Sequence, residues 1–285
     1  MNGTRPAPFA ASNRGVSLEL MLMTPERAQA LLDTMHPNRT AKKRFVEVLV
    51  RDMLSGNWRI TGDTIKVDSM GRLVDGQHRL MAVVQSGLAV EMAVAYGVTL
   101  DDALMAVDAG VKRSASDMLS MHGFSHANNL ASVTRNVIAY RMGRPFDSSI
   151  MVSNSEILER AEQDTEGLTE AVRIGGRVHT SLSASLSVTG TIAYLAGNLD
   201  REDRDDFFEA LITGVGLSEN DPIRALRSRL EKDAAKRGQA NPRMSRKYLA
   251  ALTIKSWNMY RTGSEVSNLR WRNAGPKAET FPELL

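Results

Sequence analysis

Residues 73–80 read Leu-Val-Asp-Gly-Gln-His-Arg-Leu, and how this stretch is read decides the fold. Just upstream, Ile65 and Val67 alternate with Lys66 and Asp68, Ser69-Met70-Gly71 has turn chemistry, and Leu73-Val74 returns. That pattern predicts a β-hairpin. Downstream, Leu80, Val83, Val84 and Gly87 fall at i, i+3, i+4 and i+7, which predicts a helix with one inward face that stops at Gly87. A strand therefore passes into a helix through Asp75-Gly76. Working outward, Leu18–Met23 predicts a first strand, and Thr24-Pro25-Glu26 a capped start to a helix reaching about Met35. His36-Pro37-Asn38 breaks that helix. A second helix is expected from about Ala41 to Leu54, and Val90, Met92 and Val94 alternate as a further strand. A short helix near Leu100–Ala103 and a strand near Leu104–Val107 complete an α/β module ending near Leu119.

From Asn128 onward the periodicity is helical, with helices expected near 128–142, 154–163, 166–175, 184–197, 203–213, 222–236 and 244–261. Ser153-Asn154-Ser155-Glu156 and Asp221-Pro222 are start signals. The expected class is α+β: an N-terminal α/β domain with a small mixed sheet, followed by an all-α C-terminal domain. The expected boundaries are a lead-in at 1–15, the α/β domain at 16–122, the helical domain at 123–262 and an irregular basic tail at 263–285, with Trp271 and Phe281 as anchors.

The chain has 285 residues, 42% apolar and 24% charged, an ordinary globular balance. With no cysteine, disulfides, zinc–thiolate sites and a cysteine nucleophile are excluded. No apolar run approaches a membrane span, and Met1–Gly15 lacks the apolar core of a signal peptide. A cytoplasmic protein without a membrane partner is expected. The net charge is only +3, but its distribution is uneven. Residues 145–221 carry fifteen Asp/Glu against five Lys/Arg, whereas residues 222–285 carry fourteen Lys/Arg against five Asp/Glu. These blocks either attract one another as solvated faces, or the basic one meets a polyanion such as DNA.

The chemistry centres on Asp75-Gly76-Gln77-His78-Arg79. The first-turn N–H groups of a helix lack intrahelical partners, and the helix dipole there favours an anion. Gly76 lets a ligand approach the backbone. Gln77, His78 and Arg79 add donors, and the Arg fork matches phosphate oxygens. Asp75 can cap the helix, hold Mg²⁺, or act as a base together with His78. The plainer alternative makes Asp75 an N-cap, Gly76 a turn residue, and His78 and Arg79 solvated helix positions.

At these residues the sequence resembles the ParB/sulfiredoxin superfamily, over about Leu18–Leu119. It is most similar to the branch named for its Asp-Gly-Gln-His-Arg signature, which includes DndB-like proteins and many proteins of tailed phages and prophages. The resemblance implies a nucleoside triphosphate, ATP or CTP, with phosphates at Gly76, Gln77, His78 and Arg79. The favoured expectation adds Mg²⁺, DNA as a partner, and slow hydrolysis. Gln77 stands where sulfiredoxins carry their cysteine, which excludes sulfinic-acid repair. The single Arg79 departs from the Arg-rich motif of ParB clamps. Alternatives are a metal-dependent nuclease or DNA-modifying enzyme, a non-catalytic DNA-binding regulator, and a small-molecule kinase. A homodimer is among the open assembly states.

Secondary candidates follow from position. Asn38 and Arg39 precede the second helix, where members of the superfamily often face nucleotide. Lys42, Lys43 and Arg44 open that helix against its dipole. Asp108-Ala109-Gly110-Val111-Lys112-Arg113-Ser114 reads as a second anion-contacting loop, with Lys112 and Arg113 toward phosphate and Asp108 sharing a metal with Asp75. Ser114 can cap the next helix with Asp117 at the capping-box position. His122 and His126 lack a third ligand. Neither Gly175-Gly176 nor Gly214-Val215-Gly216 fits a dinucleotide fingerprint. In the basic block, Arg224, Arg227, Lys236, Arg237, Arg243, Arg246 and Lys247 are the DNA-backbone candidates. Trp257, Tyr260 and Trp271 either stack on bases or belong to the core.

Overall fold

The computed structural model describes residues 15–35, 41–99, 113–235 and 244–285. The expected helix near 100–103 and strand near 104–107 lie outside the described residues. The chain divides into two units, Met1–Lys112 and Arg113–Leu285. The class is α+β, with eleven helices and one four-stranded mixed sheet among the described residues.

The first unit contains β1 (Ser17–Met23), α1 (Pro25–Asp33), α2 (Lys43–Leu54), β2 (Thr64–Val67), β3 (Leu73–Asp75), α3 (Gln77–Ser86) and β4 (Val90–Tyr96). The sequence signals act as read. The Thr24 hydroxyl accepts from Arg27 N and Pro25 occupies the first turn of α1. Gly71 takes a left-handed φ of 79° in the β2–β3 turn, where the Asp68 carboxylate accepts from Met70 N and Arg72 N. The sheet order is β1-β4-β2-β3. β1 and β4 are antiparallel, as are β2 and β3, while β2 and β4 run parallel. Parallel neighbours need a crossover, and α3 supplies it. One sheet face carries Met23, Met92, Val94, Ile65, Val67 and Leu73, and these pack with Ala28 of α1, Val46 and Met53 of α2, and Leu80 and Val83 of α3. The register places Leu18, Leu20, Ala93, Ala95, Lys66 and Asp75 on the other face.

The second unit is helical among its described residues: α4 (Ala115–Met121), α5 (Ala127–Arg141), α6 (Asn154–Gln163), α7 (Thr165–Leu182), α8 (Leu186–Gly197), α9 (Arg201–Thr213), α10 (Pro222–Ala234) and α11 (Arg246–Arg261). Ser153 and Glu156 form a reciprocal capping box on α6, and Asp221 caps α10. The expected helix at 166–175 instead continues to Leu182, through Gly175 and Gly176. The physical reason is a close helix crossing. A Cβ at Gly175 would sit 2.7 Å from Leu186 O and 2.8 Å from Gly190 N, so the backbones of α7 and α8 meet at these glycines. Phe207 of α9 lies edge-on to Trp257 of α11 at 5.5 Å, in a core that also takes in Leu119, Leu168, Ile192 and Leu226. After α11 the chain is irregular, with Trp271 buried against Phe281 at 5.7 Å. No helix among the described residues is long and apolar enough to cross a membrane.

The crossing distinguishes two adjacent glycines. Gly175→Ala should cost about 1–3 kcal/mol by overpacking. A Cβ at Gly176 would meet only Leu186 Cδ1, at 3.8 Å. Gly176→Ala should therefore stabilise the helix by about 0.5–1 kcal/mol. Thermal melts of the two variants check this: Gly175→Ala should lower the midpoint and Gly176→Ala should raise it.

Candidate functional site

The Asp75–Arg79 turn is fixed by its glycine. β3 ends at Asp75, and Gly76 adopts φ 111°, ψ 7° before α3 begins at Gln77. L-residues avoid that region. A Cβ there would also lie 2.5 Å from Ile65 Cδ1 and 3.3 Å from Ile65 Cα. The turn thus presses its backbone onto β2. Arg79 N and Leu80 N both donate to Gly76 O, at 3.0 and 3.1 Å, which starts the helix. The first turn of α3 carries no acidic residue, so no side chain of that turn offsets the positive helix end.

Each side chain of the motif has a defined position. Asp75 Oδ1 accepts from Gly76 N at 2.8 Å, and Oδ2 pairs with Lys66 Nζ at 3.1 Å. The side chains of Lys66 and Asp75 are 23% and 39% exposed, so this ion pair is open to solvent. Lys66 was not singled out in the sequence. Its signal was present in the hairpin alternation, which sets Lys66 opposite Asp75 in the register. Gln77 is buried. His78 Nε2 accepts the backbone N–H of Lys42 at 3.0 Å, so this nitrogen carries no proton, and the ring meets Phe45 edge-on at 5.3 Å. Lys42 is the N-cap residue of α2 and has no side-chain cap bond. The imidazole therefore ties the start of α3 to the start of α2, where three cations oppose the helix dipole. Arg79 Nη2 donates to Thr64 O at 3.0 Å, the only side-chain hydrogen bond of Arg79 among the described residues. That bond anchors α3 to the first residue of β2 and leaves other guanidinium donors available.

The remaining candidates are dispersed. Asn38, Arg39, Asp108 and Lys112 lie outside the described residues. Arg113 opens the second unit, is exposed, and accepts at its carbonyl from Asn154 Nδ2 at 2.9 Å. Ser114 and Asp117 form the full capping box on α4. Hydrogen bonds from the Ser114 backbone and hydroxyl hold the Asp117 carboxyl below its ordinary range. His122 follows α4 and lies 3.4 Å from Glu162, whereas His126, at φ 54°, precedes α5. Among the described residues no three His, Asp or Glu side chains gather as a metal site.

In the basic block Arg224, Arg246 and Lys247 are exposed. Lys247 Nζ also lies 5.9 Å from the centre of the Phe281 ring. Arg227 is engaged differently. Its Nη1 donates to Leu211 O and Ile212 O at 2.6 and 2.8 Å, so it satisfies the carbonyls at the end of α9, and its Nε pairs with Glu231 at 3.1 Å. Arg261 pairs with Asp203 of the acidic block at 3.1 Å. Lys236, Arg237 and Arg243 lie outside the described residues. Trp257 and Trp271 are core residues whose indole N–H groups donate to Leu285 O and Thr280 O, and Tyr260 packs against Phe207. A cleft of about 630 Å³ in the second unit is lined by Asp164, Glu166, Glu170, Tyr194, Arg201 and Arg204, none of which the sequence had marked. In it the Tyr194 hydroxyl donates to Asp164 Oδ2 at 2.8 Å, and buried Arg204 pairs with Asp205 at 2.7 Å.

Compared with protein-family models, with curated proteins and with solved structures, the chain matches none.

The turn makes its own test. Gly76→Ala should lower stability by about 1–3 kcal/mol through the left-handed φ and the clash with Ile65. In an Ile65→Val background, which removes Cδ1, the loss should be smaller but not absent. Denaturant unfolding of the two singles and the double gives the coupling directly.

Proposed function

We propose that the Asp75–Arg79 turn binds the phosphates of a nucleoside triphosphate, ATP or CTP, and that its occupancy regulates contact with DNA. One observation carries this reading. A strand passes into a helix through a left-handed glycine, the first turn of the helix carries no acid, and two cations lie nearby, Arg79 and Lys66, the latter paired with Asp75 just before the turn. That combination favours an anion at the helix start. Arg79 supplies donors beyond the one spent on Thr64, and Lys66 supplies a mobile charge once it leaves Asp75. This is the arrangement that the resemblance to the ParB/sulfiredoxin superfamily implies for the motif.

Mg²⁺ fits the residues present, because it needs only one or two protein carboxylates and takes its other ligands from phosphate and water. Asp75 is the partly exposed carboxylate that would hold it, and bound Mg²⁺ would neutralise phosphate charge. Asp75 is also the group able to position a water for slow hydrolysis. His78 serves as a fastening between α2 and α3 rather than as a free base. In the helical unit, exposed Arg224, Arg246 and Lys247 are the cations offered to the DNA backbone.

A second reading rests on the same contacts. His78 and Arg79 each hold a neighbouring element, so the motif can be a structural fastening within a DNA-binding regulatory module. Calorimetric titration separates the two. Under the favoured reading Mg-ATP or Mg-CTP binds, and Lys66→Gln weakens binding about tenfold, roughly 1.4 kcal/mol, with an unchanged melting midpoint. Absence of binding by both nucleotides leaves only the fastening.

The DNA assignment has its own measurement. Arg246→Ala with Lys247→Ala should reduce the slope of log affinity against log salt by about 2, uniformly across DNA sequences. An unchanged slope would remove these residues from the interface.

A further inference from the structure

β1 is an edge strand among the described residues, paired with β4 through seven consecutive residues. On its face away from the helices stand Leu18, Leu20 and Leu22, which are 72%, 65% and 51% exposed. The cross-strand partners of Leu18 and Leu20, Ala95 and Ala93, are small, while Leu22 stands opposite Glu91, and the three leucines project from the sheet as a row. Edge strands are ordinarily guarded by Lys, Pro, a bulge or a short length. β1 has no Lys or Pro, its register with β4 is unbroken, and its only charge is Glu19. Such a row of adjacent apolar side chains marks an interaction surface more often than scattered single residues do.

We infer that a second copy of this chain covers this edge, through antiparallel pairing of β1 with β1 about a two-fold axis at Leu20. The strand is its own complement in that register. All seven residues of Ser17–Met23 find partners, with Leu18 opposite Leu22 and Leu20 opposite Leu20. The result is a stripe of leucines from both copies on one face of a joined sheet, an isologous contact of the kind a two-fold requires. Charge selects this register. It sets Glu19 opposite Met21, whereas an axis at Glu19 would bring the two carboxylates face to face. An axis at Met21 would leave Ser17 and Leu18 without strand partners. The Leu22 carbonyl already accepts from Arg27 Nη1 at 2.9 Å, and a carbonyl oxygen has room for a second donor. β3, which carries Asp75, lies at the opposite edge of the sheet, so the contact leaves the Asp75–Arg79 turn uncovered. It does not depend on what that turn binds.

Sedimentation velocity of the full chain tests this. The native protein should sediment at twice its 31.3 kDa. Leu20→Glu should halve that mass with unchanged far-UV circular dichroism. Leu54→Glu, at a comparably exposed position on α2, should not. The chain has no cysteine, so Leu20→Cys gives a clean second readout. Mild oxidation should link it into a covalent dimer, while Leu54→Cys stays monomeric on a denaturing gel. A native protein that sediments as a monomer, or a dimer that persists in Leu20→Glu, overturns the proposal. Should Leu20→Glu fail to fold, absence of the Leu20→Cys crosslink overturns it instead.

Discussion

The contact of Gly76 with Ile65 is the constraint on which the first unit depends. No side chain fits between the turn and β2, and no L-residue readily takes the φ that aims the chain into α3. Everything nearby follows from that approach. Asp75 is left at the strand end beside Lys66, Arg79 reaches the Thr64 carbonyl, and His78 meets Lys42, the N-cap residue of α2. The motif is thus a mechanical junction before it is a chemical one, joining β2, β3, α2 and α3 around one backbone reversal. The first turn of α3 that this junction leaves open carries no acid, and the Lys66–Asp75 ion pair stands beside it.

The second unit shows the same economy of backbone approach. Gly175 and Gly190 let α7 and α8 cross with their main chains nearly touching, and the aromatic cluster of Phe207, Trp257 and Tyr260 fills the volume beside α9 and α11. Part of the uneven charge is spent internally. Arg261 reaches Asp203, Arg227 closes the end of α9, and Lys255 pairs with Glu279. Among the described residues, these three cations are therefore held by partners within the second unit.

Most local structure was legible from the sequence because it obeys short-range rules. The Thr24, Ser114, Ser153 and Asp221 caps, the Asp68–Arg72 turn and the alternation of the strands each rest on neighbours within a few residues. What escaped notice depends on long-range contact. Gly175-Gly176 reads as a helix stop until α8 is seen crossing there. Arg227 reads as a free cation until the carbonyls of α9 are brought to it. Lys66 reads as an ordinary strand residue until the register sets it against Asp75. The fastening of His78 to Lys42 spans thirty-six positions, and no periodicity announces it. The motif was visible as a strand–glycine–helix junction with an anion-favouring helix start, but its mechanical role, fastening α3 to α2 and β2, was not.

The central claim is that the start of α3 receives phosphate. Amide-resolved NMR titration with Mg-ATP and Mg-CTP addresses it at the atoms concerned. Saturable shifts should be largest at the amides of Gly76, Gln77, His78 and Arg79, with smaller changes at Lys66. Saturable shifts elsewhere with this turn unmoved, or no shift with either nucleotide, would contradict it.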